Sequence, residues 1–259
     1  MAYVYDHAWK QERIRLAGLE VALDPGTHEH LTRLGVGPGW RCLEVGAGGG
    51  SIAVWLAERV APGGEVVATD LDTDFLQGET ARHPALKVLN HDIATQDLPT
   101  GFDLVHARYL VEWLPDKRRA LERMAAALRH GGVLLDEEPD FDTFFRTGEP
   151  VALRKVATAA MRHLEASCPV DTEYGRRVFD DLCAIGLSNV AAEGRCPVVR
   201  GGSPPAAHFL ALTLQKFRTP LVTQQKVTSL EFDSAIAALE NPSLTFFMPM
   251  TVAAWGWRA

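Results

Sequence analysis

Between residues 42 and 139 the chain alternates short, nearly unbroken apolar runs with stretches of helical periodicity. The runs are Cys42-Leu-Glu-Val45, Val66-Val-Ala-Thr-Asp70, Lys87 to Asp92, Phe102 to Arg108 and Gly131 to Asp136. Apolar positions that are not interrupted every second residue belong to strands covered on both faces, the condition of a parallel sheet flanked by helices. The pattern changes on either side of this block. Residues 6–23 carry Trp9, Ile14, Leu16, Leu19, Val21 and Leu23 as an apolar set, and Asp24-Pro25 reads as the N-cap and first-turn proline of a second helix ending near Gly35. Downstream, Asp136-Glu137-Glu138-Pro139-Asp140 reads as an acidic loop leading into Phe141, Phe144 and Phe145. Leu153, Val156, Ala157, Ala160, Met161 and Leu164 predict a helix over 150–168, and Tyr174 to Leu187 a further one ending at Gly186. Asn189 to Arg200 predicts a strand, 204–240 more helix, and Thr245 to Trp257 a last strand with Pro249 at an edge or bulge, because proline has no N–H for a ladder.

The first apolar run opens into Glu44-Val-Gly46-Ala-Gly48-Gly-Gly50 and then a helical pattern. In an α/β sheet ligands sit beyond the carboxyl ends of the strands, and a glycine has no Cβ to hold a ligand away from the backbone. The dinucleotide fingerprint would need its third glycine at position 51, which is Ser51, so a nicotinamide-dependent oxidoreductase is the weaker reading. The second run ends in Asp70, where one carboxylate can accept from both hydroxyls of a ribose. The third ends in Asp92, able to accept from an adenine amino group with Ile93 beside the ring. Each acid alone also suits the cap of a following helix, and Asp103 is read as structural. Their order along the chain is what points to a nucleoside.

Taken together, these motifs resemble those of class I S-adenosylmethionine-dependent methyltransferases of the bacterial small-molecule type. The resemblance implies an α/β fold: a Rossmann-like, seven-stranded, mostly parallel sheet with an antiparallel last strand, plus helical cap insertions. Residues 1–259 then form a single domain, with an N-terminal helical lid at 1–40, a cofactor-binding core at 41–140, cap helices at 141–188 and 203–240, and C-terminal strands at 189–200 and 245–257. The implied cofactor is S-adenosylmethionine, leaving as S-adenosylhomocysteine. Glu44 would order the loop and the cofactor's amino group, Gly46 and Gly48 would border its methionine portion, and Asp70 with Leu71 would hold the ribose. Asp92 and Ile93 would hold the adenine, and the backbone at Ala107 and Arg108 would flank the sulfonium. The implied acceptor is a small molecule, methylated at O, N or C. A protein that keeps this fold and cofactor for chemistry other than methylation is the alternative. A base is required only for an acceptor protonated at neutral pH; His163 and Glu138 are the catalytic candidates, with His208 and Tyr174 also near the expected mouth. Tyr5, Trp113 and Tyr174 are candidate substrate contacts, with Tyr3 and Trp9 as further aromatic wall.

Composition narrows the partners. With 259 residues, 47% of them hydrophobic, the chain can bury a substantial core. A formal net charge of -7 disfavours an extended phosphate-binding face, so nucleic acid is not an expected partner. The basic run Lys117-Arg118-Arg119 with Arg123 sits on a helical pattern whose other face is apolar, as a solvated helix would. No stretch reaches the roughly 20 apolar residues that a bilayer demands, and the start of the chain lacks a signal-peptide pattern, so a cytoplasmic protein without membrane association is expected. The four cysteines form no CxxC pair and His28-x-His30 points its two rings in different directions on a helix, so no metal site is expected and both histidines are read as solvent-exposed. Oligomeric state is left open.

Overall fold

A computed structural model describes residues 11–146, 150–203 and 205–259, with the side chains of 144–146 left aside. Its first half runs α1 (Glu12–Arg33), β1 (Arg41–Val45), α2 (Ser51–Val60), β2 (Glu65–Asp70), α3 (Glu79–Arg82), β3 (Leu86–Asn90), β4 (Phe102–Arg108), α4 (Lys117–Ala127) and β5 (Leu128–Asp140). There follow α5 (Val151–Ser167), α6 (Val178–Ala184), β6 (Ser188–Arg195), β7 (Val198–Arg200), α7 (Ala206–Gln215), α8 (Arg218–Thr223), α9 (Ser229–Glu240), β8 (Thr245–Phe247) and β9 (Met250–Trp257). The main sheet has seven strands in the order β3-β2-β1-β4-β5-β9-β6. Strands β1 to β5 pair in parallel, and β9 lies between β5 and β6, antiparallel to β6. The expected seven-stranded, mostly parallel sheet with its antiparallel last strand inserted next to the edge is therefore the architecture found.

The described residues fall into two compact units. One holds Asp24–Pro139, Glu173–Arg195 and Thr251–Ala259, and so nearly all of the main sheet. Its core has two layers because successive strand residues face opposite ways. Leu43, Val45, Val105, Ala107 and Leu134 join one apolar cluster with Met124 and Tyr174. Cys42, Leu104, Val133 and Leu135 join another with Leu31, Ile52 and Leu56. Helix α2 buries Ile52, Ala53, Leu56, Ala57 and Val60, the positions its period assigns to one face. The other unit gathers α5, α7, α8 and α9 with the small antiparallel sheet of β7 and β8. In α5, Leu153, Val156, Ala157, Ala160, Met161 and Leu164 are the buried stripe, as the periodicity predicts.

Four expectations are corrected by the backbone. Pro25 does not start a second helix: α1 is continuous from Glu12 to Arg33 and Pro25 lies inside it. Proline costs a helix its interior N–H and crowds the preceding turn, but tertiary contacts on both sides of Pro25 hold the helix through it. The stretches 189–200 and 245–257 are each two strands, broken at Cys196-Pro197 and Met248-Pro249. At each break a proline removes the donor that the ladder needs, and the distal pieces β7 and β8 pair with each other instead. Residues 136–140 are not a loop but the end of β5, and Asp136, Glu137, Glu138 and Asp140 are all buried. The segment 174–187 is a short 3-10 turn, Tyr174–Arg176, followed by α6.

Candidate active site

The glycine loop leaves β1 with Gly46, Gly48 and Gly50 at φ of 72°, 54° and 91°. A side chain at such angles meets its own backbone, which is why glycine occupies them. Gly46 and Ala47 donate their N–H groups to the Thr69 carbonyl of β2 at 2.8 and 2.9 Å, and Gly48 donates to Asp70 Oδ2 at 2.8 Å. Asp70 Oδ1 accepts the N–H of Asp72 at 3.1 Å. The strand-end carboxylate thus fixes the glycine loop and the turn after β2 together. A Cβ on Gly46 would lie 2.9 Å from Leu110 Cδ1, and one on Gly50 2.4 Å from Leu76 Cδ2. Glycine is required there by neighbouring protein atoms as well as by φ. Leu71, next to Asp70, presents an apolar side chain that is 62% exposed. After β3, Asp92 accepts from the Ala94 N–H and the Thr95 hydroxyl, both at 2.9 Å, and Ile93 is buried in the core.

One face of the sheet at this end is polar. Glu44 of β1 and His106 of β4 are register partners, so their side chains share a face. His106 is fully buried, with Nδ1 2.6 Å from Glu44 Oε2 and Nε2 3.3 Å from Glu137 Oε2 of β5. Burial alone would depress the imidazole pKa, but the carboxylates of Glu44 and Glu137 raise it to about 9. Glu137, whose pKa burial would raise, is held far below the usual carboxylate range by its hydrogen bonds to His106 and His30. Its Oε1 meets His30 Nδ1 at 2.7 Å, its Oε2 accepts from the Thr27 hydroxyl, and His30 Nε2 meets Glu193 of β6 at 2.8 Å. Arg108 donates to Thr27 Oγ1 at 2.9 Å and to Asp24 Oδ1 at 2.8 Å, while Ser51, first residue of α2, donates to the same Asp24 oxygen at 3.1 Å. Residues 24–33 of α1 are therefore fastened to β4, β5, β6 and the start of α2.

The opposite face carries a second buried set. Glu138 accepts the backbone N–H groups of Leu110, Val111 and Glu112 at 3.1, 2.8 and 3.0 Å. Burial pushes its pKa to about 7 despite those three donors. Burial, and then the Glu138 charge, keeps Asp136 and Glu112 protonated well above the ordinary range. Tyr174 lies in the same region, its hydroxyl donating to Asp181 at 2.9 Å.

The structure brings Glu44, Gly46, Gly48, Asp70, Leu71, Ala107 and Arg108 to the carboxyl ends of the adjacent strands β2, β1 and β4. Asp92 and Ile93 follow β3 next to them. Other candidates stand elsewhere. Glu138 is the acceptor for three backbone N–H groups and is sealed from solvent, a loop clamp rather than a base. Tyr174 is a core side chain, 1% exposed. His163 belongs to the helical unit, where it lines a cleft of about 680 Å³ with Arg154, Lys155, Arg162 and Lys226. His208 is exposed on α7. Trp113 is half-buried in the turn Val111–Trp113. Tyr3, Tyr5 and Trp9 lie outside the described residues. His30 is not solvent-exposed but buried between two glutamates, and the half-buried His28 stacks on Trp55 with ring centroids 4.5 Å apart.

Sequence reasoning passed over His30, His106, Glu137 and Tyr109. A signal for one of them was present in parity: His106, like Arg108, alternates with the apolar Val105 and Ala107, a polar face at the end of a buried strand. Tyr109 adds a left-handed backbone at φ 55°, unusual for a side chain of its size, with its hydroxyl 2.8 Å from Thr251 Oγ1.

Comparison with known proteins follows the same line. Residues 43–134 match a family described as a methyltransferase domain. A trans-aconitate 2-methyltransferase of Rhodopseudomonas palustris (strain HaA2) is 32% identical over 124 residues, 47% of this chain and 46% of that protein. The matched part of the chain thus spans about half the length of the curated relatives. Phosphoethanolamine N-methyltransferase 2 of Haemonchus contortus superposes with a TM-score of 0.60 at 14% identity, covering all of this chain and 60% of that one. The cyclase SpnF superposes at 0.57 with 15% identity, covering 91% and 82%. At those identities the superpositions speak for the fold, and a cyclase among them shows that the fold alone does not name a reaction. Residues 43–134 thus match a methyltransferase domain, and the sheet order and glycine loop resemble those of class I S-adenosylmethionine-dependent methyltransferases.

Proposed function

We propose that this protein transfers the methyl group of S-adenosylmethionine to a small-molecule acceptor. The observation that carries the proposal is the loop of three positive-φ glycines at the end of β1, fastened through Gly48 to the carboxylate that ends β2. The residues fit the cofactor. Asp70 is oriented by two backbone N–H groups, and a carboxylate has lone pairs left for ribose hydroxyls. Leu71 offers exposed apolar surface beside it, and Asp92 follows the end of the neighbouring strand β3. Glu44, with one oxygen held by His106, is the acceptor for the cofactor's ammonium, and the backbone at Ala107 and Arg108 borders the sulfonium.

When bound, the cofactor supplies an already activated methyl group, so the protein's task is chiefly to hold donor and acceptor in line. The clamp of Glu138 on 110–112 fixes the chain that follows β4, including the half-buried Trp113 on the acceptor side. The curated relatives are named for trans-aconitate. An acceptor of that class, a small carboxylic acid, is ionised at neutral pH and needs no base to lose a proton, in keeping with the commitment of Glu138 to backbone N–H groups. Calorimetry with S-adenosylhomocysteine beside NADH tests the cofactor, and mass spectrometry for the gain of one methyl on trans-aconitate, small aromatics and amines tests the reaction. Binding of S-adenosylhomocysteine alone and a methylated product are expected. Binding of NADH instead would overturn the cofactor assignment, and cofactor binding with no methylated product across the panel would favour non-methylating chemistry.

A further inference from the structure

We infer that His106 is a positioning residue for the cofactor's amino-acid end: held between Glu44 and Glu137, it fixes the rotamer of Glu44. The inference rests on the cofactor reading above and adds a residue to it. Both ring nitrogens of His106 face carboxylate oxygens, at 2.6 Å from Glu44 and 3.3 Å from Glu137. A carboxylate cannot donate unless protonated, so the arrangement is satisfied when the imidazole carries two protons and both acids are ionised. Glu137 is in turn held by Thr27 and His30, so the Nε2 side of the ring is anchored on α1 and β5. The charged and titratable groups around the ring are Glu44 from β1, Glu137 from β5, His28 and His30 from α1, and Arg108 from its own strand.

The consequence falls on Glu44. That side chain is almost fully buried and stands two residues before Gly46, where the glycine loop leaves the strand. A buried carboxylate without a partner would take up a proton and rotate freely between acceptors. Bonded to His106 through Oε2, it is held in one rotamer, leaving Oε1 as the acceptor for the ammonium of the donor's methionine portion. The nucleoside end, held by Asp70 and the loop backbone, does not depend on this pair.

The test exploits that separation. Wild type, His106→Gln and His106→Asn are titrated calorimetrically with S-adenosylhomocysteine and with methylthioadenosine, which has the same nucleoside and no amino acid. Glutamine places its amide near Nε2 and keeps the donor to Glu137, whereas asparagine places it near Nδ1 and keeps the donor to Glu44. In His106→Gln the S-adenosylhomocysteine affinity should fall about 10- to 100-fold, the scale of a hydrogen bond to a charged group, with methylthioadenosine affinity within about twofold of wild type, since no contact of that ligand changes. His106→Asn should lose less. A measurement that needs no variant is the nitrogen NMR signature of the ring, expected to show both nitrogens protonated at pH 7. Equal losses for both ligands, unchanged affinity for both, or a neutral single tautomer at pH 7 would overturn the assignment of His106. If wild type binds neither ligand, the cofactor reading itself fails and takes this one with it.

Discussion

At the scale of the residue, the site depends on carboxylates whose partners differ. Asp70 stands at a strand end, bonded to two backbone N–H groups and accessible to a ligand. Asp70→Ala should weaken S-adenosylhomocysteine binding about 10- to 100-fold, with Asp70→Asn intermediate because one acceptor oxygen remains. Calorimetry decides, and unchanged affinity would show the carboxylate to be only a loop brace. Glu138 has the opposite exposure and the opposite role. Replacing it with alanine strands three buried N–H donors, at a cost of about 3–5 kcal/mol to folding. Urea unfolding measures that, and a loss under 1 kcal/mol would mean that water reaches the 110–112 turn. Both residues read alike in sequence, as an acid after an apolar run. Only their surroundings separate an accessible carboxylate from a buried one.

At the scale of the element, the link between β1 and α2 is the tightest part of the site. Gly46 and Gly50 hold left-handed backbone and face Leu110 and Leu76 at distances that no Cβ tolerates without a shift. Alanine at either position should cost about 1–2 kcal/mol from φ alone. The substitution at Gly46 should also weaken cofactor binding more than it lowers stability, because Leu110 belongs to the turn that Glu138 holds. Comparing thermal midpoints with calorimetric affinities separates the two effects, and a fall in stability with no change in affinity would leave the loop a structural turn. Helix α1 makes the complementary point. Its residues 24–33 are pinned by Asp24, Thr27, His30 and Arg33 to groups on β4, β5 and β6. No amphipathic pattern announces that attachment, since the bonds are polar and reach residues more than eighty positions away in the chain.

At the scale of the whole molecule, the buried titratable groups set how stability varies with pH. Glu138 is raised from 4.5 to about 7 by burial, so its contribution is complete below about pH 4.5 and is lost as pH rises through 7. His106 is raised from 6.5 to about 9, so its contribution is complete below about pH 6.5 and is lost as pH rises through 9. Glu137 is lowered, and its contribution is lost on acidification below the usual carboxylate range. These signs place maximal stability on the mildly acid side of neutrality. The Tm should fall by roughly 5–10 °C between pH 6 and pH 9.5, and Glu138→Gln should flatten the part of that fall near pH 7. Calorimetric scans across pH check this, and a Tm level from pH 6 to 9.5 would mean that the buried acids are ionised and solvated throughout.

Sequence alone determined the parallel core, because unbroken apolar runs separated by helical periods admit few other arrangements, and it determined the glycine loop, because glycine at 46, 48 and 50 is a local backbone demand. It also marked the strand-end acids Asp70 and Asp92, whose positions follow from where the runs stop. Tertiary structure decided the rest. That Pro25 sits within one helix, that residues 136–140 are strand and not loop, and that Glu137, His106 and His30 are buried partners all depend on long-range pairing. A charged residue reads as solvent-facing until its counter-charge is known. Here each counter-charge comes from a distant strand or helix, which only the folded chain brings within hydrogen-bonding distance.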